Sequence, residues 1–469
     1  MRQVGSHQLC LISALLLLSC SQRGELITGT DLTVLEGARL IDGTGSIPVV
    51  NSVVVIEGDR IARVGNVGDF RYPRDAVVHD LRGRYLLPGF VDLHVHPRVG
   101  AERETLLMLL GFGVTTIRIP GVGFESPDSF GLGLRSAVEN GLLIGPRIFT
   151  GAKIIDGPTK AYPDDVEVTT EDELREEVRR QAELGVNLVK LYRNMPPNFI
   201  TAAVDEADAL GIQVIGHIRQ SSWTEAARLG INGLVHSGLN GPTWELVPPE
   251  IRDDLRLLPF PEYYDRFLEI VELDDPLFSS LISLLIENEV TVDPTLVMMQ
   301  SLYYGDDLSV LDRLEPKLAP ESVLATWGPG WEDANPNIVN NPDAQTEGKG
   351  MYAFSQQVIR RFHEGGVRLA VGTDVGEPWI TPGVSFHREL ELLVEAGIPE
   401  SDVLRLATQN GAVALGQEDR FGTIAPGLFA DLVVLREDPM EDVRNSRSIE
   451  AVFKEGRRFD PVALMSEVN

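Results

Sequence analysis

Between about residues 86 and 415 the chain alternates short apolar runs with longer stretches whose apolar positions recur at helical spacing. That is the pattern of parallel strands covered by helices. Eight such runs stand out: Val91–His96, Thr115–Pro120, Arg147–Ile154, Leu188–Tyr192, Val214–Ile218, Gly233–Ser237, Val290–Leu296 and Leu369–Asp374. Eight strands with intervening helices predict an α/β fold closed as a (β/α)8 barrel of the TIM type. One helix is legible in detail, because Glu171 to Leu184 carries Leu174, Val178 and Ala182 at roughly helical spacing and follows Thr169-Thr170 as an N-cap. Two long connections, about Leu239 to Ile286 and Met298 to Tyr352, follow strands whose ends face the same rim, which makes them candidates for a lid or pocket walls.

The flanks have a different texture. Leu32 to Leu40, Val53 to Glu57 and Arg60 to Val64 read as short strands broken by Asp42-Gly43-Thr44-Gly45 and Glu57-Gly58-Asp59 turns. Gly422 to Leu435 and Ile449 to Phe453 read the same way near the other end. Neither piece can bury both its faces alone, so residues 32–85 and 416–469 are expected to complete one small β-sandwich beside a barrel of residues 86–415.

The first twenty residues differ in kind. Arg2 gives a short basic start, Leu9 to Leu18 forms an apolar run too short to span a bilayer comfortably, and the small Ser19 precedes Cys20. This is the pattern of a secretory signal, with residues 21–31 as a polar tether. Leu17-Leu18-Ser19-Cys20 resembles the lipobox of bacterial lipoproteins. The resemblance implies lipidation at Cys20 and a membrane anchor in the bacterial cell envelope, on the periplasmic side; a plain cleaved signal with Cys20 incidental is the alternative. The only other cysteine is Cys10, inside the segment expected to be removed, so a mature chain starting at Cys20 has no disulfide.

Charge narrows the partners. Seventy acidic side chains against 41 basic ones give a formal net charge of -29, which repels nucleic acid and anionic lipid surfaces at long range. Nucleic-acid binding is therefore set aside, and a small-molecule substrate is the expected partner; oligomerisation stays open. Most of this acidity reads as solvated surface rather than as a lure for cationic substrates.

The candidate chemistry lies at the ends of the apolar runs. His94 and His96, at i and i+2 in the first strand, face the same side. His217 ends the fifth run, His236 the sixth and Asp374 the eighth, while Lys190 lies in the fourth. On a barrel these ends converge at one rim, where distant residues meet around a cation. Four of the eight histidines in the chain fall at these positions. A purely structural account would have to bury several costly polar groups.

Leu87-Pro-Gly-Phe-Val-Asp-Leu-His94-Val-His96, Val371-Gly-Thr-Asp374, Ala407-Thr-Gln-Asn410-Gly-Ala and Gly422-Thr-Ile-Ala-Pro-Gly-Leu-Phe-Ala-Asp431-Leu-Val-Val-Leu together resemble the amidohydrolase superfamily, in its imidazolonepropionase-like and Xaa-Pro dipeptidase-like branches. The resemblance implies that His94, His96 and Asp374 hold the more buried metal and that His217 and His236 hold a second. Lys190 matches the position that is carboxylated in binuclear members, where the carbamate bridges both ions; an ordinary Lys190 beside a single ion is the alternative. Zinc suits these nitrogen and oxygen ligands, with manganese, iron and cobalt also compatible.

The implied reaction is hydrolysis of a C–N bond in an amide, cyclic amide or dipeptide by a metal-activated hydroxide, with Asp374 as proton shuttle. Lactone, ester or phosphotriester cleavage uses the same hydroxide, and a binding lipoprotein without catalysis is a third reading. Tyr192, Arg193 and Arg118 are candidates for pairing with a substrate carboxylate. His387, in Phe386-His387-Arg388, is expected to support the site from behind or to pack a helix, and His79 and His363 read as ordinary surface or packing histidines.

Overall fold

The computed structural model describes residues 24–468 apart from 124–125, 238–240, 242, 259 and 329–341. The expected signal segment, Cys20 and the first residues of the tether lie outside the described residues. Among the described residues, no helix is long and apolar enough to cross a membrane.

The fold is α/β. Phe90–Asp92, Val114–Ile119 and Arg147–Thr150 form one parallel sheet. A second parallel sheet runs in the order Val166–Glu167, Ile155–Asp156, Leu188–Leu191, Gln213–Gly216, Gly233–Val235, Thr291–Asp293 and Arg368–Leu369. Hydrogen bonds link the two sheets on both sides. At one seam Asn187 N–H donates to Thr150 O at 2.9 Å. At the other, Leu93 N–H donates to Val371 O at 2.9 Å and Asp374 N–H to His94 O at 2.8 Å. Gly151 is required at the first seam, since a Cβ there would lie 2.7 Å from Pro120 O and 3.2 Å from Leu188 O.

The eight apolar runs are all at or beside these strands, but most strands are shorter than the runs. The Arg147–Ile154 run divides into Arg147–Thr150 and Ile155–Asp156. The first strand stops at Asp92, so His94 and His96 lie just past its ladder rather than within it. Nearly every strand residue is buried, because helices cover the outer face and side chains fill the inner one.

The helix Glu171–Leu184 forms where its pattern places it. Thr170 caps it by accepting from Glu173 N–H, and Gly185 at φ 89° ends it in the left-handed region. Its buried stripe is Leu174, Val178 and Gln181. Gln181, not Ala182, is buried because its Nε2 donates to Lys153 O at 2.8 Å and Glu177 Oε1 at 2.7 Å.

The two long connections are largely helical. Phe260–Ile270 and Pro276–Glu287 precede the Thr291–Asp293 strand, and Leu296–Tyr303 and Pro342–Gly365 follow it. Phe278 and Phe362 stack at 5.4 Å between them, and the hydroxyls of Tyr264 and Tyr303 meet at 2.8 Å.

Two further sheets come from the flanks. Arg60–Asn66, Ser52–Glu57, Leu32–Glu36 and Val77–Asp80 form one; Arg457–Phe459, Ile449–Lys454, Leu432–Leu435, Tyr85–Pro88 and Arg39–Leu40 form the other. The second therefore draws on both flanks. Leu35, Val54 and Ile56 of the first share one apolar core with Leu86, Leu432, Val434 and Phe453 of the second. The strand expected from Gly422 shrinks to Leu432–Leu435, because Gly422 and Gly427 take positive φ and Pro426 lacks a donor.

Arg147 ties this layer to the parallel sheets. Its guanidinium pairs with Asp431 at 2.5 Å and Glu455 at 2.8 Å, and lies over the Phe429 ring. The Asp431 side chain is 3% exposed. Arg147→Ala should strand that carboxylate and destabilise the protein by about 3–5 kcal/mol. Arg84→Ala breaks a half-exposed pair with Glu450 and should cost no more than about 1 kcal/mol. Urea unfolding of both variants checks the contrast.

Candidate metal centre

Asp92 explains why the first strand ends where it does. Its buried carboxylate accepts from His94 N–H and Thr373 N–H at 3.1 Å each, and from Thr373 Oγ1 at 2.7 Å. A side chain thus takes over from the backbone ladder and stitches the first strand to the chain after the last. Burial raises the Asp92 carboxyl to about 7 against the pull of the Thr373 and His94 donors.

Beyond this stitch the candidate ligands converge. The His94 ring lies 5.2 Å from that of His96 and 4.7 Å from that of His236, and His236 lies 4.7 Å from His217. Asp374 Oδ1 is 3.6 Å from His94 Nε2 and 3.5 Å from His96 Nε2, and its Oδ2 is 3.8 Å from His236 Nε2. Ligand atoms of His94, His236 and Asp374 all fall within 4.8 Å of one another. Lys190 Nζ stands 3.2 Å from His94 Nε2. All six of the expected residues are thereby gathered in one buried cluster.

The backbone is bent to achieve this. Asp374 at φ 65°, His236 at φ 62° and Thr295 at φ 51° all occupy the left-handed region, at a cost of order 1–3 kcal/mol each.

Outer contacts aim the rings. His94 Nδ1–H donates to Asp293 Oδ2 at 2.8 Å, and His96 Nδ1–H to Gly121 O at 3.0 Å. His236 Nδ1 bonds Thr295 Oγ1 at 2.8 Å. At His94 and His96 the partner is a pure acceptor, so Nδ1 carries the hydrogen and the Nε2 lone pair is turned toward the cluster, where at His94 it meets Lys190 Nζ. His217 Nδ1 is buried without a hydrogen-bond partner. Burial, aided by the Lys190 charge, holds His94, His96 and His236 well below the usual histidine range; for His217 burial is followed by the charge of His236. Neutral imidazoles, an orphan ring nitrogen and a carboxylate are a donor set that fits a divalent cation.

Two acid–base groups share the centre. Burial and the neighbouring Glu377 raise the Asp374 carboxyl, opposed by Lys190 and Arg98. Burial pushes the Lys190 amine down, while Asp374 and Asp293 pull it back.

A cavity of about 540 Å³ opens onto the cluster, lined by His96, Lys190, Tyr192, His236, Asp374 and Glu377 together with Tyr162 to Asp165. Neither long connection contributes to the lining among the described residues; the short segment after Asp156 does.

The role expected of Arg118 is corrected, and of the two roles open to His387 the structure shows helix packing. Arg118 does not face a substrate. Its side chain is 2% exposed, with Nε donating to Leu93 O at 2.8 Å and Nη2 paired with Asp293 Oδ1 at 3.2 Å. Residues alternate in direction along a strand, and this one points inward to brace Asp293. His387 touches none of the candidate ligands. It bonds Ser446 Oγ at 2.8 Å and Phe112 O at 3.0 Å, so it joins a helix to the flanking layer. Tyr192 lines the cavity, and the Arg193 guanidinium lies 5.0 Å from the Tyr192 ring. Asp293 was not among the candidate residues; it lies in the middle of the Val290–Leu296 run, and only the shorter strand Thr291–Asp293 puts it at a strand end.

The chain matches the Amidohydrolase family model over residues 85–238 and 353–459. A dihydroorotase of Anaeromyxobacter dehalogenans is 45% identical over 69 residues, a stretch that spans 15% of this chain and 15% of that protein. Among solved structures, a bottromycin amidohydrolase is similar with TM-score 0.72 and 23% identity, over 94% of this chain and 91% of that one. A Xaa-Pro dipeptidase is similar with TM-score 0.67 and 21% identity, over 92% of this chain and 100% of the other. At these identities the structural likeness speaks for the fold.

Asp293→Asn removes the carboxylate that orients His94, and should weaken metal retention by roughly 10–100-fold. Competition with a chelator measures it. Ser446→Ala, which touches only His387, should leave retention unchanged.

Proposed function

The chain belongs to the amidohydrolase family, and on that footing we propose that it is a metal-dependent hydrolase of a carbon–nitrogen bond in an amide, cyclic amide or dipeptide. The observation that carries this is the gathering of His94, His96, His217, His236, Lys190 and Asp374 at one cavity, with the imidazoles held neutral. The hydrogen bonds at both seams support reading the two parallel sheets as one closed (β/α)8 barrel over residues 86–415. The shared apolar core supports reading the flanking sheets, 32–85 and 416–469, as its small β-sandwich.

His94, His96 and Asp374 would hold one ion, and His217, through its orphan Nδ1, a second with His236. Zinc is the metal that best suits this set. When bound, the cation acts as a Lewis acid that polarises the scissile carbonyl and makes water more acidic. The chain's own residues do the rest. Asp374 takes the proton from the attacking water and passes it to the departing nitrogen. Lys190, as an ammonium, would repel a cation beside His94; carboxylated, it would instead offer two anionic oxygens to the metal centre. Its lowered basicity favours that reaction with carbon dioxide. Tyr192 and Arg193 bind the substrate at the cavity edge.

The sequence at Leu17 to Cys20 supports export and anchoring of the chain in a bacterial envelope membrane through a lipid on Cys20, on the periplasmic side. Cys20→Ser should then shift the protein from the membrane fraction to the soluble one on cell fractionation.

Turnover of a panel of Xaa-Pro dipeptides, N-acyl amino acids, cyclic amides and lactones by metal-loaded protein tests the reading. Asp374→Asn should lower kcat by about 10²–10⁴-fold, and chelation should abolish activity until metal is restored. Protein equilibrated with ¹³C-bicarbonate should show a carbamate signal that Lys190→Ala lacks, with bound metal falling from about two ions toward one. A metal-free wild-type protein, or full activity in Asp374→Asn, would remove the proposal.

A further inference from the structure

The cavity contains a buried acid that the chemistry above leaves unused. Asp165 lines it, is only 5% exposed, and its Oδ2 is buried without a hydrogen-bond partner. A buried carboxylate oxygen with no donor is costly unless a ligand supplies one.

The segment that carries it is preformed. Asp156 Oδ1 accepts from Gly157 N–H at 2.9 Å and Asn194 N–H at 2.7 Å, and Oδ2 accepts from Ala161 N–H at 2.8 Å. Lys160 Nζ donates to the backbone oxygens of Pro163 at 2.6 Å and Asp165 at 2.9 Å. The hydrogen bonds of this lysine thus hold the turn, the Tyr162 N–H reaches the Asp165 carboxylate, and Oδ2 is left without a donor. The turn brings the Tyr162 ring to 5.7 Å from that of Tyr192, which gives the acid an aromatic flank.

Charge points the same way. Among the described residues Asp164, Asp165, Glu377 and Asp374 all line the cavity, with Lys190 in the same lining and the Arg193 guanidinium 5.5 Å from the Tyr162 ring. Burial raises the Asp165 carboxyl to about 6, with Asp156 adding to it, so above neutral pH it is mostly ionised. A buried carboxylate oxygen of this kind welcomes a cationic donor.

We propose that the cavity selects substrates carrying a protonated primary amine, with Asp165 Oδ2 as its acceptor. This rests on the C–N hydrolase reading and narrows it to aminoacyl amides with a free amino group, such as a dipeptide with an open N-terminus. Asp165 is then a specificity residue, and N-acylated counterparts are poor substrates.

The test uses metal-loaded protein and matched pairs, a free-amine dipeptide and its N-acetyl form. Wild type should favour the free amine by at least tenfold in kcat/KM. Asp165→Asn should lower that ratio at least tenfold, chiefly through KM, with Asp165→Glu restoring part of it and metal content unchanged. Equal turnover of the paired substrates by wild type would overturn the proposal, whether or not the variants fold. So would an Asp165→Asn ratio equal to wild type, or loss of metal in that variant, which would make Asp165 a metal ligand. Calorimetric binding of an amino acid amide against its N-acetyl form separates the two readings. If no C–N substrate turns over yet the free amine alone binds and Asp165→Asn abolishes it, the amine site stands and the hydrolase reading falls. If neither form binds and nothing turns over, both fall.

Discussion

The seam between residues 92–96 and 371–375 is the constraint on which the rest depends. Asp92 holds His94 and Thr373 through its carboxylate, and Asp374 N–H donates to His94 O. Segments nearly 280 residues apart in sequence are thereby clamped side by side. Only this clamp sets the Asp374 carboxylate within 3.6 Å of His94 Nε2 and 3.5 Å of His96 Nε2. The positive φ at Asp374 is held in place by these surrounding hydrogen bonds.

Burial then sets the chemistry of the groups the seam collects. In a dry setting an imidazole stays neutral and an amine loses basicity, which frees lone pairs for a cation, while a carboxyl such as Asp374 gains basicity and can hold a proton. Asp293 and Arg118 extend this logic one layer outward. The arginine carries the charge that lets Asp293 remain a carboxylate although burial raises it to about 6, and Asp293 in turn fixes His94. A buried pair of this sort contributes less to stability than to geometry, since the desolvation of both charges offsets much of their attraction.

Around this rigid centre, the part of the cavity wall nearest the substrate comes from the turn after Asp156, pinned by Asn194 and Lys160. The helical connections lie elsewhere and pack on one another through Phe278, Phe362, Tyr264 and Tyr303. Long insertions need an apolar core of their own before they can lie over anything else. That division separates the candidate ligands, which follow the parallel strands, from the turn that forms the other side of the cavity.

Much of this was legible in the order of residues. Periodicity placed the strands and the Glu171–Leu184 helix, whose cap and terminating glycine are local signals, and run-end positions singled out His94, His96, Lys190, His217, His236 and Asp374. What the sequence could not reveal depends on where a side chain points after the chain has closed. Arg118 turns inward and Gln181 replaces Ala182 in the core, because hydrogen bonds to distant partners outweigh local pattern. Asp293 and Thr295 acquire their roles from neighbours dozens to hundreds of residues away, and for the same reason only the structure shows that His387 packs a helix rather than backing the site. Composition and spacing thus determined which residues are available and on which elements, whereas tertiary packing decided their partners, their protonation and the empty hydrogen bond that Asp165 offers.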